Sequence, residues 1–337
     1  DLKFWSMNRL AYSTLKTGNI ALYDLETNQE SLSFRGTHLK FSNQGWEIVK
    51  EISNSSLLVT SNFSLSGRSA AFDVFDVSGS QAASVFTFEE VKSDDVGCGD
   101  IAYCESRNLL ALLSVQKSIA YHLFEVNTTT NKYTTEKISL CRRTKWHSKF
   151  RDAITSLDFD PEGRLMASAD QAGALLVSDV DSNYYKEYIR LPGSLDYFTR
   201  GRWSPVKSEP LIYTKHDMNY LNIYDAEKDQ LIFKKSLEIQ ANKPVYWIDV
   251  CATDSNLLVM SGGAEKHVKV FDRRDGQIIK TIRNTDVARC AKWSPDGKTI
   301  ATTCGDGTVK LFELGSEKAL LTIKTPSGDA ADTVCFL

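Results

Sequence analysis

The segment with the clearest capacity for binding chemistry is residues 142–151. It carries five cationic and two aromatic side chains in a chain whose formal net charge is −3. Clustered arginines and lysines pair with carboxylates or phosphates, and an aromatic ring beside them can stack on a nucleic-acid base. The segment therefore predicts binding of an acidic or phosphorylated peptide, or, as an alternative, of a phosphate or nucleic-acid backbone. An equally good interpretation is a solvated loop that its aromatic rings anchor to the fold. Its candidate contact residues are Arg142, Arg143, Trp146, Lys149 and Arg151.

Residues suited to catalysis are present, but they form no recognisable motif. The sequence lacks G-x-x-x-x-G-K, H-E-x-x-H and G-x-S-x-G motifs, and its five histidines are dispersed along the chain. The seven cysteines are also scattered and include no C-x-x-C pair. We therefore expect no enzymatic activity, no catalytic residue, no metal site and no cofactor. The cysteines are expected to be reduced thiols in the core.

The composition is that of an ordinary globular protein, with 42% hydrophobic and 25% charged residues in 337 positions. Low proline and glycine counts, 7 and 19, argue against a linker between separate domains, so residues 1–337 are expected to form one domain. No apolar run is long enough to span a membrane, and residues 1–20 carry no signal-peptide pattern. We expect an intracellular protein, cytoplasmic or nuclear.

A repeated pattern accounts for the whole chain: two apolar runs around a short turn, followed by an aromatic-acidic pair. The acidic members lie 41 to 54 residues apart, somewhat more than the ~40 to 45 residues of one four-stranded propeller blade. Seven such units fill the chain. The pairs are Tyr23-Asp24, Phe75-Asp76, Phe124-Glu125, the weaker Ser178-Asp179, Tyr224-Asp225, Phe271-Asp272 and Phe312-Glu313.

The last unit shows the strand pattern most clearly. Residues 287–293, 299–303, 308–314 and 320–325 are rich in β-branched or alternating apolar residues, and Ser294-Pro295-Asp296-Gly297 and Gly305-Asp306-Gly307 separate the first three. Such spacing predicts a four-stranded antiparallel meander. The recurring first-strand residues Phe159, Trp203, Trp293 and Phe336 are predicted to pack in the core, with Cys104 and Cys251 in the same slot.

Residues 287–314 resemble a near-consensus repeat of the WD40 family, and the resemblance extends over essentially the whole chain. Asp306 matches the family's turn aspartate, whereas the Gly-His dipeptide is absent from every unit and Phe or Tyr replaces the Trp of the Trp-Asp pair. The resemblance implies an all-β, seven-bladed β-propeller of four-stranded antiparallel blades. Seven pairs favour seven blades over eight. Residues 332–337 are expected either to complete the first blade or to begin a further element.

The resemblance also implies a function: a non-catalytic protein-protein interaction scaffold, acting as a subunit of a larger complex. In the family, loops that lead into the first strand of each blade lie on the narrow face and bind partner peptides. Besides residues 142–151, this mapping selects aromatic and arginine side chains, which dominate interface energies. For Tyr246 and Trp247, packing between blades is the favoured alternative. The residues selected are Trp46, Phe198, Arg200, Tyr246, Trp247 and Arg289.

A second motif, Phe271-Asp272-Arg273-Arg274, resembles the aromatic-Asp-x-Arg box of propellers that serve as substrate receptors of cullin-type ubiquitin ligases. That role is kept as an alternative function. Pairing of these arginines with nearby acids is the favoured interpretation.

Overall fold

The computed structural model describes most of the chain in sixteen stretches. They are residues 8–35, 48–52, 57–64, 69–91, 100–113, 119–126, 140–146, 154–170, 174–182, 185–190, 200–215, 220–226, 232–238, 245, 247–262 and 266–337.

The described residues form 28 β-strands in seven four-stranded antiparallel sheets, the blades. Blade 1 contains β1 Arg9–Thr14, β2 Asn19–Asp24, β3 Gln29–Arg35 and the last strand, β28 Ala331–Phe336. Blade 2 contains β4 Ile48–Ile52, β5 Leu57–Ser64, β6 Ser69–Asp76 and β7 Ala83–Val91. Blade 3 contains β8 Ile101–Cys104, β9 Leu109–Leu113, β10 Ile119–Val126 and β11 Leu140–Trp146.

The remaining blades follow in chain order. Blade 4 contains β12 Ile154–Phe159, β13 Leu165–Asp170, β14 Ala174–Asp179 and β15 Tyr185–Arg190. Blade 5 contains β16 Arg200–Trp203, β17 Leu211–Lys215, β18 Tyr220–Asp225 and β19 Ile232–Glu238. Blade 6 contains β20 Trp247–Val250, β21 Leu257–Ser261, β22 His267–Asp272 and β23 Gln277–Arg283. Blade 7 contains β24 Ala288–Trp293, β25 Thr299–Cys304, β26 Thr308–Glu313 and β27 Leu321–Lys324.

The blades close into a ring around a central channel. The first strand of each blade, here called its inner strand, contacts the inner strands of both neighbours in the order β28, β4, β8, β12, β16, β20, β24 and back to β28. The predicted seven-bladed all-β propeller is confirmed. A 3-10 turn, Glu105–Arg107, follows β8. Among the residues described, no helix is long and apolar enough to cross a membrane.

The last strand completes blade 1, which decides between the two alternatives for residues 332–337. β28 pairs with β1 in an antiparallel register that places Leu10 opposite Phe336 and Tyr12 opposite Val334. Tyr12 and Val334 are buried in one cluster that also contains blade 7 residues. The first blade is therefore built from the two ends of the described chain, and its inner strand is β28.

The aromatic-acidic pairs all lie in the third strand of a blade. The aromatic members Phe75, Phe124, Phe271 and Phe312 are buried. The acidic members begin the next turn: Asp24 Oδ1 accepts hydrogen bonds from Glu26 N and Thr27 N, and Asp179, Asp76 and Asp272 bind turn amides in the same way. The repeat therefore couples a packing residue to a turn-forming residue, which is why it recurs once per blade.

The predicted first-strand core is confirmed for its aromatic members but not for the two cysteines. Phe159, Trp203 and Trp293 are buried, and Phe336 is half-buried. The placement of Cys104 and Cys251 in the same slot was wrong by one residue. The slot residue Trp293 pairs with Ile300 of the next strand. The residues at the equivalent position are Tyr103, which pairs with Leu110, and Val250, which pairs with Leu258. The two cysteines instead occupy the turn position of Ser294. Cys251 N donates to Leu257 O as Ser294 N donates to Thr299 O.

The turn position explains why these two residues are small. Gly297 of blade 7 lies against the blade 6 turn, and a Cβ added there would collide with Thr253 Oγ1 and lie 2.8 Å from Cys251 Sγ. Gly163 of blade 4 meets Cys104 of blade 3 in the same manner. Blades 3 and 4, and blades 6 and 7, are therefore in tight contact where their first turns meet.

Substitutions at two glycines can distinguish the energetic cost of crowding this contact from the cost of backbone strain. Gly297 and Gly328 both have left-handed φ angles, +69° and +67°, but Gly328 has no atom within 4 Å of an added Cβ. We expect Gly328→Ala to cost about 1 kcal/mol from the backbone alone. Gly297→Ala should cost about 1 to 3 kcal/mol more, because the methyl group overpacks the blade contact. Thermal unfolding of both variants tests this, and equal melting temperatures would contradict it.

Candidate functional site

In blades 4 to 7 the central channel is lined by inner-strand residues whose charges alternate from one blade to the next. We call the face at which the inner strands begin the N face and the face at which they end the C face; the N face corresponds to the narrow face of the family. The residue before the first-strand aromatic slot is Asp158 in blade 4, Arg202 in blade 5, Asp249 in blade 6 and Lys292 in blade 7. These four residues, here called the channel quartet, all line the C-face end of the channel.

The carboxylates of the quartet hold the inner strand of the following blade. Asp158 Oδ2 accepts a hydrogen bond from Trp203 N at 2.8 Å, and Asp249 Oδ2 accepts one from Trp293 N at 2.9 Å. Lys292 Nζ donates to Asp249 Oδ1 at 2.9 Å. Each carboxylate thus satisfies a backbone N–H at the open edge of a neighbouring strand, which would otherwise lack a partner.

Asp100 performs the same task between blades 3 and 4 and also attracts two arginines. It is almost fully buried, and its carboxylate accepts hydrogen bonds from Ile101 N and Leu157 N, both at 3.0 Å. Arg202 Nη1 lies 3.6 Å from Asp100 Oδ2, and Arg200 Nη1 lies 3.9 Å from it. Burial by itself would lower the pKa of Arg202, but Asp100, Asp158 and Asp249 outweigh burial and raise it. The guanidinium therefore stays charged inside the channel.

Trp247 lies towards the N face and supports a group of cations. The guanidinium carbons of Arg200 and Arg202 lie 4.3 Å and 5.8 Å from its ring centroid, and Lys292 Nζ lies 5.1 Å from it. These distances are typical of cation–π contacts. Trp247 is 6% exposed and packs in one cluster with Cys290 of blade 7. Its ring therefore packs between blades, and Arg200 covers it.

Arg289 is the most accessible cation at the N-face end of an inner strand for which a side chain is described. Its side chain is 25% exposed, and its Nη1 lies 3.4 Å from Asp332 Oδ1, whose side chain is 1% exposed. Thr303 Oγ1 donates to Asp332 O across the same junction. Asp332 thus fixes Arg289 at the seam where blade 7 meets the last strand.

The comparison with protein families agrees with this geometry. A family model described as the anaphase-promoting complex subunit 4 WD40 domain matches residues 252–336. That range begins just after β20 and runs through blade 7 into β28. No curated protein sequence matches the chain. The match and the seven-bladed ring together support a WD40-repeat family. The chain is a seven-bladed β-propeller whose residues 252–336 are similar to a WD40 domain.

In the region similar to a WD40 domain, the turn aspartate Asp306 is held by threonines. Its carboxylate accepts hydrogen bonds from Thr308 N at 3.1 Å and Thr308 Oγ1 at 2.6 Å, and from the Thr285 hydroxyl. Burial alone would raise its pKa, but the hydrogen bonds outweigh burial and lower it to about 2. The turn thus keeps a bound aspartate although the Gly-His dipeptide is absent.

The segment 142–151 is not a loop throughout, so that part of the prediction was wrong. Arg142, Arg143 and Trp146 lie in β11, the outermost strand of blade 3, where they pair with Phe124, Leu123 and Ile119. The fourth strand of a blade needs no buried face of its own, and its polar residues conceal the strand in the sequence. Five other predicted contact residues lie outside the described residues: Lys149, Arg151, Trp46, Phe198 and Tyr246.

Both arginines of the Phe271-Asp272-Arg273-Arg274 motif are engaged within the WD40 propeller. Arg273 Nη2 donates to Glu209 Oε2 at 2.9 Å, and Arg274 Nε donates to Asp272 Oδ1 at 2.8 Å. Local pairing with acids is therefore what the motif does in this structure.

Sequence reasoning missed the channel quartet and Asp100. The signal was present, since the quartet residues precede equivalent first-strand positions in four successive units.

Among the described residues, no group of three or more His, Cys, Asp or Glu side chains could hold a metal ion. Burial raises the pKa of Cys290, also at the channel, to about 12, so it is a neutral thiol at physiological pH.

The bridge between blades 6 and 7 can be tested at Asp249. Asp249→Ala removes the acceptor of Trp293 N and leaves Lys292 without its carboxylate, which should cost about 3 kcal/mol. Asp249→Asn retains an oxygen acceptor and should cost less. Thermal unfolding should therefore rank wild type above Asp249→Asn and Asp249→Ala lowest. An alanine variant as stable as the asparagine variant would contradict the bridging role.

The hydrogen bonds to Asp306 predict an acid-dependent contribution to stability. Its pKa is lowered from an ordinary value near 3.8 to about 2, so the stabilisation is complete above the unfolded pKa and is lost as the pH falls through the folded one. The difference in melting temperature between wild type and Asp306→Asn should be largest above pH ~4 and shrink towards pH ~2. Glu317→Gln, at an exposed position of blade 7, is the control. A pH-independent difference would overturn the assignment.

Proposed function

We propose that this WD40 propeller is a non-catalytic scaffold that binds partner peptides on its N face, as a subunit of a larger complex in the cytoplasm or nucleus. WD40 propellers are commonly protein-interaction scaffolds, and loops at the ends of a rigid ring are free to serve as contact surfaces. The observation that carries the proposal is the arginine at the N-face end of β16. Arg200 is held over Trp247 and beside Asp100, so it is pre-positioned for a partner.

The two N-face arginines favour an acidic or phosphorylated partner. A guanidinium forms paired hydrogen bonds with carboxylate and phosphate groups, and a side chain already held in place loses little entropy on binding. Arg200 rests on Trp247, and Arg289 rests on Asp332. Trp247 contributes as the support of Arg200. The remaining proposed contacts are Trp46, Arg142, Arg143, Trp146, Lys149, Arg151, Phe198 and Tyr246.

Membership of a complex is supported by the matched family, whose description names a subunit of the anaphase-promoting complex. The described cysteines support a reducing compartment, because Cys104, Cys251, Cys290 and Cys304 are buried thiols outside any disulfide. Affinity capture can identify the partners of this chain and thereby the assembly to which it would belong.

The test compares cationic side chains on opposite faces. Arg200→Ala and Arg289→Ala remove N-face cations, whereas Lys298→Ala removes a cation from the C-face turn after β24, where it is 80% exposed. Trp247→Ala is unsuitable because it would leave a cavity between blades. We expect affinity capture from a cell extract to lose its main partners by about tenfold with the N-face variants and to keep them with Lys298→Ala.

Capture of the same partners at the same level by all three variants would contradict the N-face proposal. Melting temperatures near that of the wild type show that the variants are folded. Steep salt dependence, nuclease sensitivity and loss of capture in Arg142→Ala with Arg143→Ala would instead support the phosphate or nucleic-acid alternative.

A further inference from the structure

The C-face end of the channel is a cavity of about 540 Å³. Its walls come from five consecutive blades: the ends of β8, β12, β16 and β20 with the turns that follow the first three, and Lys292 of β24. This volume lies in the range of sites that enclose a small ligand or a few side chains. The cavity lies at the opposite end of the inner strands from Arg200 and Arg289.

The lining carries more negative than positive charge. Four carboxylates face three cations: Glu105, Asp158, Asp160 and Asp249 against Arg202, Lys207 and Lys292. Two of the cations are already engaged. Arg202 Nη1 donates to Leu157 O at 3.0 Å and lies beside Asp100, and Lys292 donates to Asp249. The third, Lys207, is exposed at the rim. The cavity therefore favours a cationic group.

Asp160 is the carboxylate best placed to receive that group. It is 7% exposed, and its Oδ1 accepts a hydrogen bond from Leu165 N at 2.7 Å. Burial raises its pKa above the ordinary value, even though backbone hydrogen bonds and the charge of Arg164 oppose the rise. In the part of the chain that the structure describes, no ion pair is formed by Asp160. A cation brought into the cavity would compensate this poorly solvated carboxylate.

The shape and chemistry of the walls favour an organic cation on an aliphatic stem. Tyr103, Phe159, Pro161, Pro205 and Val250 supply apolar surface between the charged groups. Lysine and arginine place their methylene groups along such surface while the charged end reaches a carboxylate. A bare metal ion fits less well, because no cluster of three ligands is present among the described residues.

We propose that this C-face cavity binds a lysine or arginine side chain from an extended segment of a partner protein. Asp160 and Asp158 hold its charged end, Asp249 remains paired with Lys292, and Phe159, Pro161 and Pro205 contact its stem. This site is separate from the N-face site of the proposed function, and the two hold or fail independently.

The experiment uses the full chain and a synthetic peptide library with a fixed central residue and randomised flanks. The central residue is arginine or lysine, with citrulline or glutamine as neutral counterparts of similar size. We expect the basic libraries to bind at least about tenfold more strongly than the neutral ones. Asp160→Asn, which keeps an oxygen acceptor for Leu165 N, should abolish most of this preference.

Two further variants keep the result independent of folding defects. Lys207→Glu adds a carboxylate at the rim and should strengthen binding of the basic libraries by about threefold, a gain that misfolding does not produce. Glu317→Gln makes the same charge change as Asp160→Asn at a distant surface position and should change nothing. The N-face variant Arg289→Ala should also bind normally. Equal binding of basic and neutral libraries, or no gain with Lys207→Glu, would overturn the proposal.

Discussion

The propeller depends on one hydrogen-bonding constraint, which is the open edge of each inner strand. An inner strand pairs with the second strand of its blade on one side and faces the channel on the other, where its N–H groups have no ladder partner. Asp100, Asp158 and Asp249 solve this by accepting the N–H of Leu157, Trp203 and Trp293 in the following blade. At the junctions of blades 3 and 4, 4 and 5, and 6 and 7, the ring is thus joined at its centre by carboxylates as well as by apolar contacts.

These carboxylates determine which cations line the channel. A buried negative charge is costly unless a positive group compensates it, and Arg202, Lys292 and Arg200 provide that compensation. Acids and bases that could be taken for catalytic pairs are therefore engaged in holding blades together. The two faces then differ in character. The N face presents arginines held by Trp247 and Asp332, and the C face presents a cavity with surplus carboxylate.

At two kinds of position that depart from the family consensus, other residues serve the fold. Asp306 accepts hydrogen bonds from threonine hydroxyls, and buried phenylalanine or tyrosine stands at the aromatic position of most aromatic-acidic pairs. Glycines at the first turns are less replaceable, because Gly163 and Gly297 combine a left-handed backbone with contact to the preceding blade. The match of the family model to residues 252–336 covers the region where the repeat pattern is clearest.

By itself, the sequence determined the propeller, its seven units and the position of the aromatic-acidic pairs, because these follow from local alternation, turn residues and a regular period. It did not determine which charged residues meet. Asp100, Asp158 and Arg202 are each about one blade apart in sequence and become neighbours only when adjacent blades pack in the ring. The same closure buried Trp247 beneath Arg200. The outer strand at Arg142 and Arg143 was missed because an edge strand needs no alternating apolar face, so only its pairing with β10 reveals it.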